Sequence, residues 1–182
     1  LQDGLTDGIY ITPAPRPVPA AQVTGKVTLS QAAVTEFGLG LPDRMVSGAA
    51  EADVTLDLPK GQPPGLTLRS DLAGMVLAIP ELGWAKPAPQ KGLLEADIRL
   101  GDAPEVTRLD LTGAGLTAKG KVLLYADGTL QVARFDKVSI APWLKGSVEI
   151  TGQGRDNPVG LAMTSGTIDL QHFPQASAAV PA

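Results

Sequence analysis

The stretch that decides the fold is LTAKGKVLLYADGTLQVARFDKVSI, which runs from Leu116 to Ile140. Apolar and polar residues alternate on both sides of Asp127-Gly128, and such alternation is typical of a strand with one buried face. An Asp-Gly pair between two alternating runs is a strong hairpin signal, because glycine adopts a positive φ at little cost. The stretch therefore predicts two antiparallel strands joined by a tight turn.

The same alternation extends in both directions along the chain. LLEADIRL (93–100) is a clear example, with aliphatic residues on one face and charged residues on the other. Turn signals at Gly101–Pro104 and Arg155–Pro158 separate such runs. We expect an all-β fold of about nine or ten strands in a mostly antiparallel meander. One short helix is predicted over Ser30–Gly38, with Ser30 as its N-cap.

Two arrangements of this sheet are open. It could close into a sandwich or barrel with a dry core, or it could curve into a taco-like, half-open groove with an apolar concave face. Phe, Trp and Tyr make up only 4% of the chain. Large aromatic side chains commonly fill a small closed core. The low aromatic content therefore favours the half-open groove.

Composition excludes several functional classes. A net charge of −4 argues against nucleic acid as a partner, because phosphate binding needs a basic face. Without cysteine there is no disulfide or thiol chemistry, and with one histidine we expect neither a metal nor another cofactor. That histidine, His172, lies next to a proline-containing end segment, where an exposed imidazole is the expected state. We therefore predict that the chain is not an enzyme.

The chain divides into three parts. Residues 1–21 contain PAPRPVPAA, whose alternate prolines favour an extended arm or linker. Residues 22–173 form the predicted β domain, and residues 174–182 form a flexible tail. The first residues, LQDGLTDG, have neither the basic nor the apolar region of a signal peptide. Because the chain begins without Met and ends in FPQASAAVPA, we expect it to be a piece of a longer protein.

The order of segments resembles a known family. VTLSQAAVTEFGLGLPDRMVSGAAEADVTLDLP (27–59) reads as strand, short helix and strand, and glycine-punctuated β units follow it. The most specific stretch is LAIPELGWAKPA, Leu77 to Ala88. From Val23 to Phe173 the chain is similar to the periplasmic region of AsmA-like proteins of the YhdP type from Gram-negative bacteria.

That resemblance implies a location and a role. AsmA-like proteins are anchored in the inner membrane, and their periplasmic sheets form a groove linked to phospholipid movement towards the outer membrane and to envelope integrity. This chain would be one section of such a groove, without the membrane anchor. Its partners would be the acyl chains of a phospholipid and the rest of its own chain. The alternative is a non-catalytic structural or interaction module, whose edge strand could pair with a second copy in isolation.

Candidate groove residues share the apolar positions of the alternating runs. They are Leu94, Ala96, Ile98, Leu116, Ala118, Val122, Leu124, Leu130 and Val132. These residues line an open groove or form an ordinary dry core, and alternation alone does not separate the two. Trp84 and Trp143 each follow turn-like residues. Each is predicted either to plug an end of the sheet or to contact a partner or membrane surface.

Overall fold

A computed structural model describes residues 21–32, 45–79, 83–154 and 160–172. β-Strands make up 68% of this part of the chain and are its dominant structure, as the alternating sequence predicts. The eleven strands are β1 (Ala21–Ser30), β2 (Val46–Leu58), β3 (Gly65–Ser70), β4 (Met75–Ile79), β5 (Trp84–Lys86), β6 (Leu93–Arg99), β7 (Glu105–Gly113), β8 (Leu116–Leu124), β9 (Leu130–Ile140), β10 (Leu144–Thr151) and β11 (Gly160–Ile168). Among the described residues, no helix has the length and apolar character needed to cross a membrane.

All eleven strands belong to one antiparallel sheet that curls into a half-barrel groove. Nine of them lie side by side in the order β1-β2-β3-β6-β7-β8-β9-β10-β11. β4 and β5 branch away from the first residues of β2, where Val46 pairs with Leu77. The all-β, curved and mostly antiparallel prediction is confirmed. The branch made by β4 and β5, called the flap below, interrupts the predicted simple meander.

The predicted turns join the strands where the structure describes them. Gly128 has a φ of 79° between β8 and β9. The Tyr125 N–H donates to the Thr129 carbonyl oxygen at 2.8 Å, and the Thr129 N–H donates to Asp127 Oδ1 at 2.9 Å. Gly101–Pro104 connects β6 to β7, also as predicted.

Other predictions fall on residues outside the described ranges. These are residues 33–38 of the predicted helix, the turn Arg155–Pro158, residues 1–20 of the N-terminal arm and the tail 174–182.

The sheet has one polar face and one apolar face. The polar face carries ion pairs between neighbouring strands, such as Arg108 Nε to Asp97 Oδ2 at 2.7 Å and Arg134 Nε to Glu149 Oε2 at 2.7 Å. Exposed pairs of this kind each stabilise a fold by less than about 1 kcal/mol. Their main effect is to specify the register of the strands, since a slip of one residue would move every charge on a strand to the apolar face.

Register shifts supply the curvature of the sheet. One or more occur in each of the five strand pairs from β6–β7 to β10–β11. Such bulges bend a strand and increase its twist. At the shift in β8, Gly120 lies so close to β9 that a Cβ atom there would be 2.2 Å from the Arg134 carbonyl oxygen and 2.8 Å from Phe135 Cδ1.

This close approach makes a stability prediction. Gly120→Ala should lower the free energy of unfolding by about 1–3 kcal/mol, because a backbone oxygen has to move to admit the methyl group. Gly25→Ala is the matched control, since a Cβ at Gly25 meets nothing within 4 Å. Urea unfolding of both variants measures the difference. Equal stability of the two variants would contradict the close approach of Gly120 to β9.

Candidate functional site

The flap closes one end of the apolar face. Trp84 of the flap packs in a buried cluster with Leu116, Ile140 and Leu144 of the main sheet and with Trp143 in the turn between β9 and β10. A second cluster joins flap residue Met75 to the start of β2 and to Leu72. Both clusters lie where β6, β8 and β10 begin and where β7 and β9 end. This end of the apolar face, called the closed end below, is an ordinary dry core.

The opposite end of the apolar face, called the open end, is crossed by two continuous rows of side chains. Residues that pair directly on antiparallel strands point to the same face, so each row follows from the register. The middle row consists of Gly25, Val54, Leu68, Ala96, Leu109, Gly120, Phe135, Val148 and Met163. The outer row consists of Val23, Leu56, Leu66, Ile98, Val106, Val122, Ala133, Ile150 and Leu161.

Neither row contains a charged or polar side chain. Each crosses all nine strands of the main sheet, which at a spacing of about 4.8 Å between strands makes a curved path of roughly 38 Å. Most of the large residues in these rows are only half-buried. The rows are most exposed at their two ends, where Val23 is 56% and Leu161 67% accessible. A sealed core would bury such residues, so the open end is an accessible apolar surface.

Eight of the nine predicted groove residues lie on the apolar face. Ile98 and Val122 belong to the outer row, and Ala96 belongs to the middle row. Leu124 pairs with Leu130 just beyond the outer row. Towards the closed end, Leu94 packs against the Met75 cluster and Leu116 against Trp84, and Ala118 is 8% accessible.

Val132 is the exception, and its predicted placement is wrong. The register shifts between Leu123 and Leu124, so that Val132 pairs with Leu123 and lies on the polar face. There the two side chains share a shallow depression with Lys121 and Arg134. Counting alternate residues from Leu130 places Val132 on the apolar face. The register shift adds one residue to β9 between Leu130 and Val132, which moves Val132 to the polar face.

The two tryptophans plug the closed end. Trp84 is 7% and Trp143 5% accessible, and the Trp84 Nε1–H donates to the Ala114 carbonyl oxygen at 3.0 Å. A contact with a partner or a membrane would need exposed rings. Both tryptophans therefore plug the end of the sheet. The alternative prediction, that they contact a partner or a membrane surface, is wrong.

Lys86 holds the flap in place, and the sequence did not predict this. Its side chain is fully buried. Its ammonium donates to the Leu72 carbonyl oxygen at 2.7 Å and to the Met75 carbonyl oxygen at 2.8 Å. Leu72 has a positive φ of 54°, which is unfavourable for a residue with a branched side chain. The lysine therefore fixes the loop that enters the flap in a conformation that is costly by itself.

Burial lowers the pKa of Lys86 below its usual 10.5, and nearby Asp71 opposes that change. Between the lowered pKa and 10.5, the unfolded chain binds a proton that the folded chain does not, so stability rises with pH in this window. The stability difference between the wild type and Lys86→Met should therefore widen as the pH approaches 10.5. Urea unfolding at neutral and alkaline pH measures this, and a constant difference would contradict it.

His172 lies in a turn after β11. Its exposed ring contacts Asp169, with Nδ1 2.8 Å from Oδ2. This hydrogen bond from the ring lowers the pKa of the Asp169 carboxyl group. Within the described ranges, histidine, aspartate and glutamate side chains form no group of three that could hold a metal ion.

Several residues of the two rows were not among the predicted candidates. Leu56, Leu66 and Val106 lie in the outer row, and Phe135 and Val148 lie in the middle row. Each occupies an alternating apolar position in the sequence. For Val106, Phe135 and Val148 that alternation was the available signal, whereas Leu56 and Leu66 reach the rows only because β3 pairs with β6 across the intervening flap.

Comparisons of the chain with family models, with curated proteins and with solved structures give no match. The resemblance to AsmA-like proteins thus rests on the sequence stretches quoted above. The site itself is defined by the geometry of the apolar face.

Proposed function

We propose that the open end of the apolar face binds the acyl chains of a lipid. The observation that carries the proposal is the pair of uninterrupted apolar rows, half-buried and without a charged side chain. A hydrocarbon chain can cover such a surface, whereas a polar ligand would leave its hydrogen-bonding groups unpaired there.

The energy of hydrocarbon in water supports this ligand. Exposing an acyl chain costs about 0.8 kcal/mol per CH₂ group. A chain of some sixteen carbons would therefore face roughly 13 kcal/mol in water. Contact with the middle and outer rows removes part of that cost and also covers Leu161 and Met163, which are 67% and 40% accessible.

The resemblance to AsmA-like proteins extends the proposal. On that basis the domain is one section of a periplasmic groove, in a protein anchored in the inner membrane, that binds or conducts phospholipid acyl chains towards the outer membrane. The role would be passive, without catalysis or a cofactor. The structural support for this finer proposal is the curved, groove-like sheet of the described residues and its apolar rows.

Binding is tested by native mass spectrometry after mild purification and by titration with a fluorescent fatty acid. We expect co-purified phospholipid and saturable uptake of the fatty acid. A protein mass without lipid, together with no uptake by the folded protein, would overturn the proposal.

A second candidate function is supported by β11. Gly160–Ile168 contains no charged residue and no proline, and its outer edge pairs with no strand of the described residues. Such an edge can add another strand. An interaction module would use this edge to dock a further segment or a second copy, and would then elute as an assembly without bound lipid.

A further inference from the structure

We infer that two copies of this chain pair antiparallel through the outer edge of β11, with Leu161 of each copy opposite Ile168 of the other. The inference goes beyond acyl-chain binding and specifies the second candidate function, because it names the partner, the edge and the register. It follows from the exposed side chains of β11, from its bulge and from the number of strands in the sheet.

β11 exposes apolar side chains along its whole length. Leu161, Met163 and Ile168 are each at least 40% accessible. A lipid on the middle and outer rows would cover Leu161 and Met163, but Ile168 lies beyond both rows, opposite Leu144 at the closed end. A lipid also offers no partner to the backbone groups of a sheet edge, whereas a further strand pairs with them. A strand therefore fits this edge better than a lipid alone.

The two edges of the main sheet differ in charge. The edge strand β1 carries Lys26, whose ammonium lies 3.3 Å from Glu51 Oε2, and lysine on an edge strand opposes the addition of another strand. The sequence of β11, GLAMTSGTI, has no charged residue. Two copies of β11 therefore bring no like charges together.

A bulge in β11 sets the register. Pairing with β10 skips Thr164, which is therefore the extra residue. For this reason the residues on the apolar face are Leu161, Met163, Gly166 and Ile168. Opposite residues on antiparallel strands share a face, so two copies of β11 pair along their full length when Leu161 lies opposite Ile168. Met163 then lies opposite Gly166, which leaves room for its long side chain.

The strand count fixes the symmetry of the pair. The main sheet has nine strands, each antiparallel to the next, so β1 and β11 run in the same direction. A second copy with its apolar face on the same side therefore forms an antiparallel pair with β11 only through its own β11. Such a contact is isologous and closes as a dimer. It joins the two apolar faces at their edges and leaves both open.

The register is tested by disulfide cross-linking, since the chain contains no cysteine. Leu161→Cys and Ile168→Cys are made as separate variants, with Val23→Cys on β1 as the control. Oxidation of a mixture of the first two should give a severalfold higher yield of dimer than either variant alone, because opposite residues lie within disulfide distance. Two copies of one position would be seven residues apart, about 23 Å along the strand. No cross-link in the mixture, or an equal yield with Val23→Cys, would overturn the inference.

Dimerisation itself is measured by sedimentation velocity over a series of protein concentrations. We expect a species of twice the chain mass of 18.7 kDa. The double variant Ala162→Lys/Thr167→Lys should dimerise roughly tenfold more weakly, because it places two like-charged pairs opposite each other on the polar face. Mixing it with Ala162→Glu/Thr167→Glu should restore the dimer. A wild-type monomer at every concentration, or an undiminished dimer of the folded lysine variant, would overturn the inference.

The same variants separate this inference from acyl-chain binding. Ala162 and Thr167 pair with Glu149 and Lys145 on the polar face, so the lysine variant should take up the fluorescent fatty acid as the wild type does. A monomeric wild type with uptake intact would overturn this inference alone. A dimer without uptake would instead overturn the proposed function alone.

Discussion

Replacing Ile98 and Val122 together by asparagine is expected to abolish fatty-acid uptake. Both residues pair with Val106, which lies between them in the outer row. Each amide would lose water on contact with an acyl chain, at about 1–3 kcal/mol. The combined loss corresponds to a weakening of about thirtyfold or more. Titration with the fluorescent fatty acid measures it.

Val132→Asn is the matched control for this experiment. Val132 is, like Val122, a half-buried valine in the central part of the sheet, but it lies on the polar face with Leu123. Its substitution should leave uptake unchanged. Circular dichroism and urea unfolding establish that each variant is folded. Uptake that persists in the folded double variant, or that is lost equally in Val132→Asn, would show that the outer row is not the binding surface.

Lys86→Met is expected to destabilise the fold by about 2–4 kcal/mol. Methionine keeps the length of the side chain and removes both hydrogen bonds, which leaves the Leu72 carbonyl oxygen with only the long bond from the Met75 N–H at 3.3 Å and takes one donor from the Met75 carbonyl oxygen. Each hydrogen bond from a charged group contributes about 1.5–3 kcal/mol. Urea unfolding measures the loss of stability.

Lys119→Met provides the comparison for Lys86. Lys119 lies on the polar face, and its exposed ammonium pairs with the partly buried Asp110, with Nζ 3.2 Å from Oδ1. Removing such a pair should change stability by less than about 1 kcal/mol. If the Lys86 variant were no less stable than the Lys119 variant, the flap would not depend on the buried ammonium.

Alternation predicted the faces of the sheet but not its register shifts. The Asp127-Gly128 hairpin and the polar and apolar sides of β6 follow from local sequence, because side chains on a strand point alternately to the two faces. Val132 shows where this reasoning ends. A bulge changes the face of every later residue on the strand, and its position depends on the neighbouring strand, here at the Leu123–Leu124 shift.

The flap was the other feature that the sequence did not predict. LTLRSDLAGMVLAI reads as one long strand that bends at Gly74, whereas the structure ends β3 at Ser70 and begins β4 at Met75. Lysine is rarely buried without a partner, so nothing local to Lys86 indicates its place in the core. Its partners are carbonyl oxygens of a loop more than ten residues earlier, which only the folded chain brings together.

The most direct test of the acyl-chain site is methyl NMR spectroscopy with a nitroxide-labelled fatty acid. A bound nitroxide broadens the signals of nearby methyl groups. The proposed function predicts selective broadening for Leu66, Ile98 and Val122 in the outer row, with Leu123 and Val132 on the polar face unaffected. Equal broadening of both faces, or none on either, would contradict it.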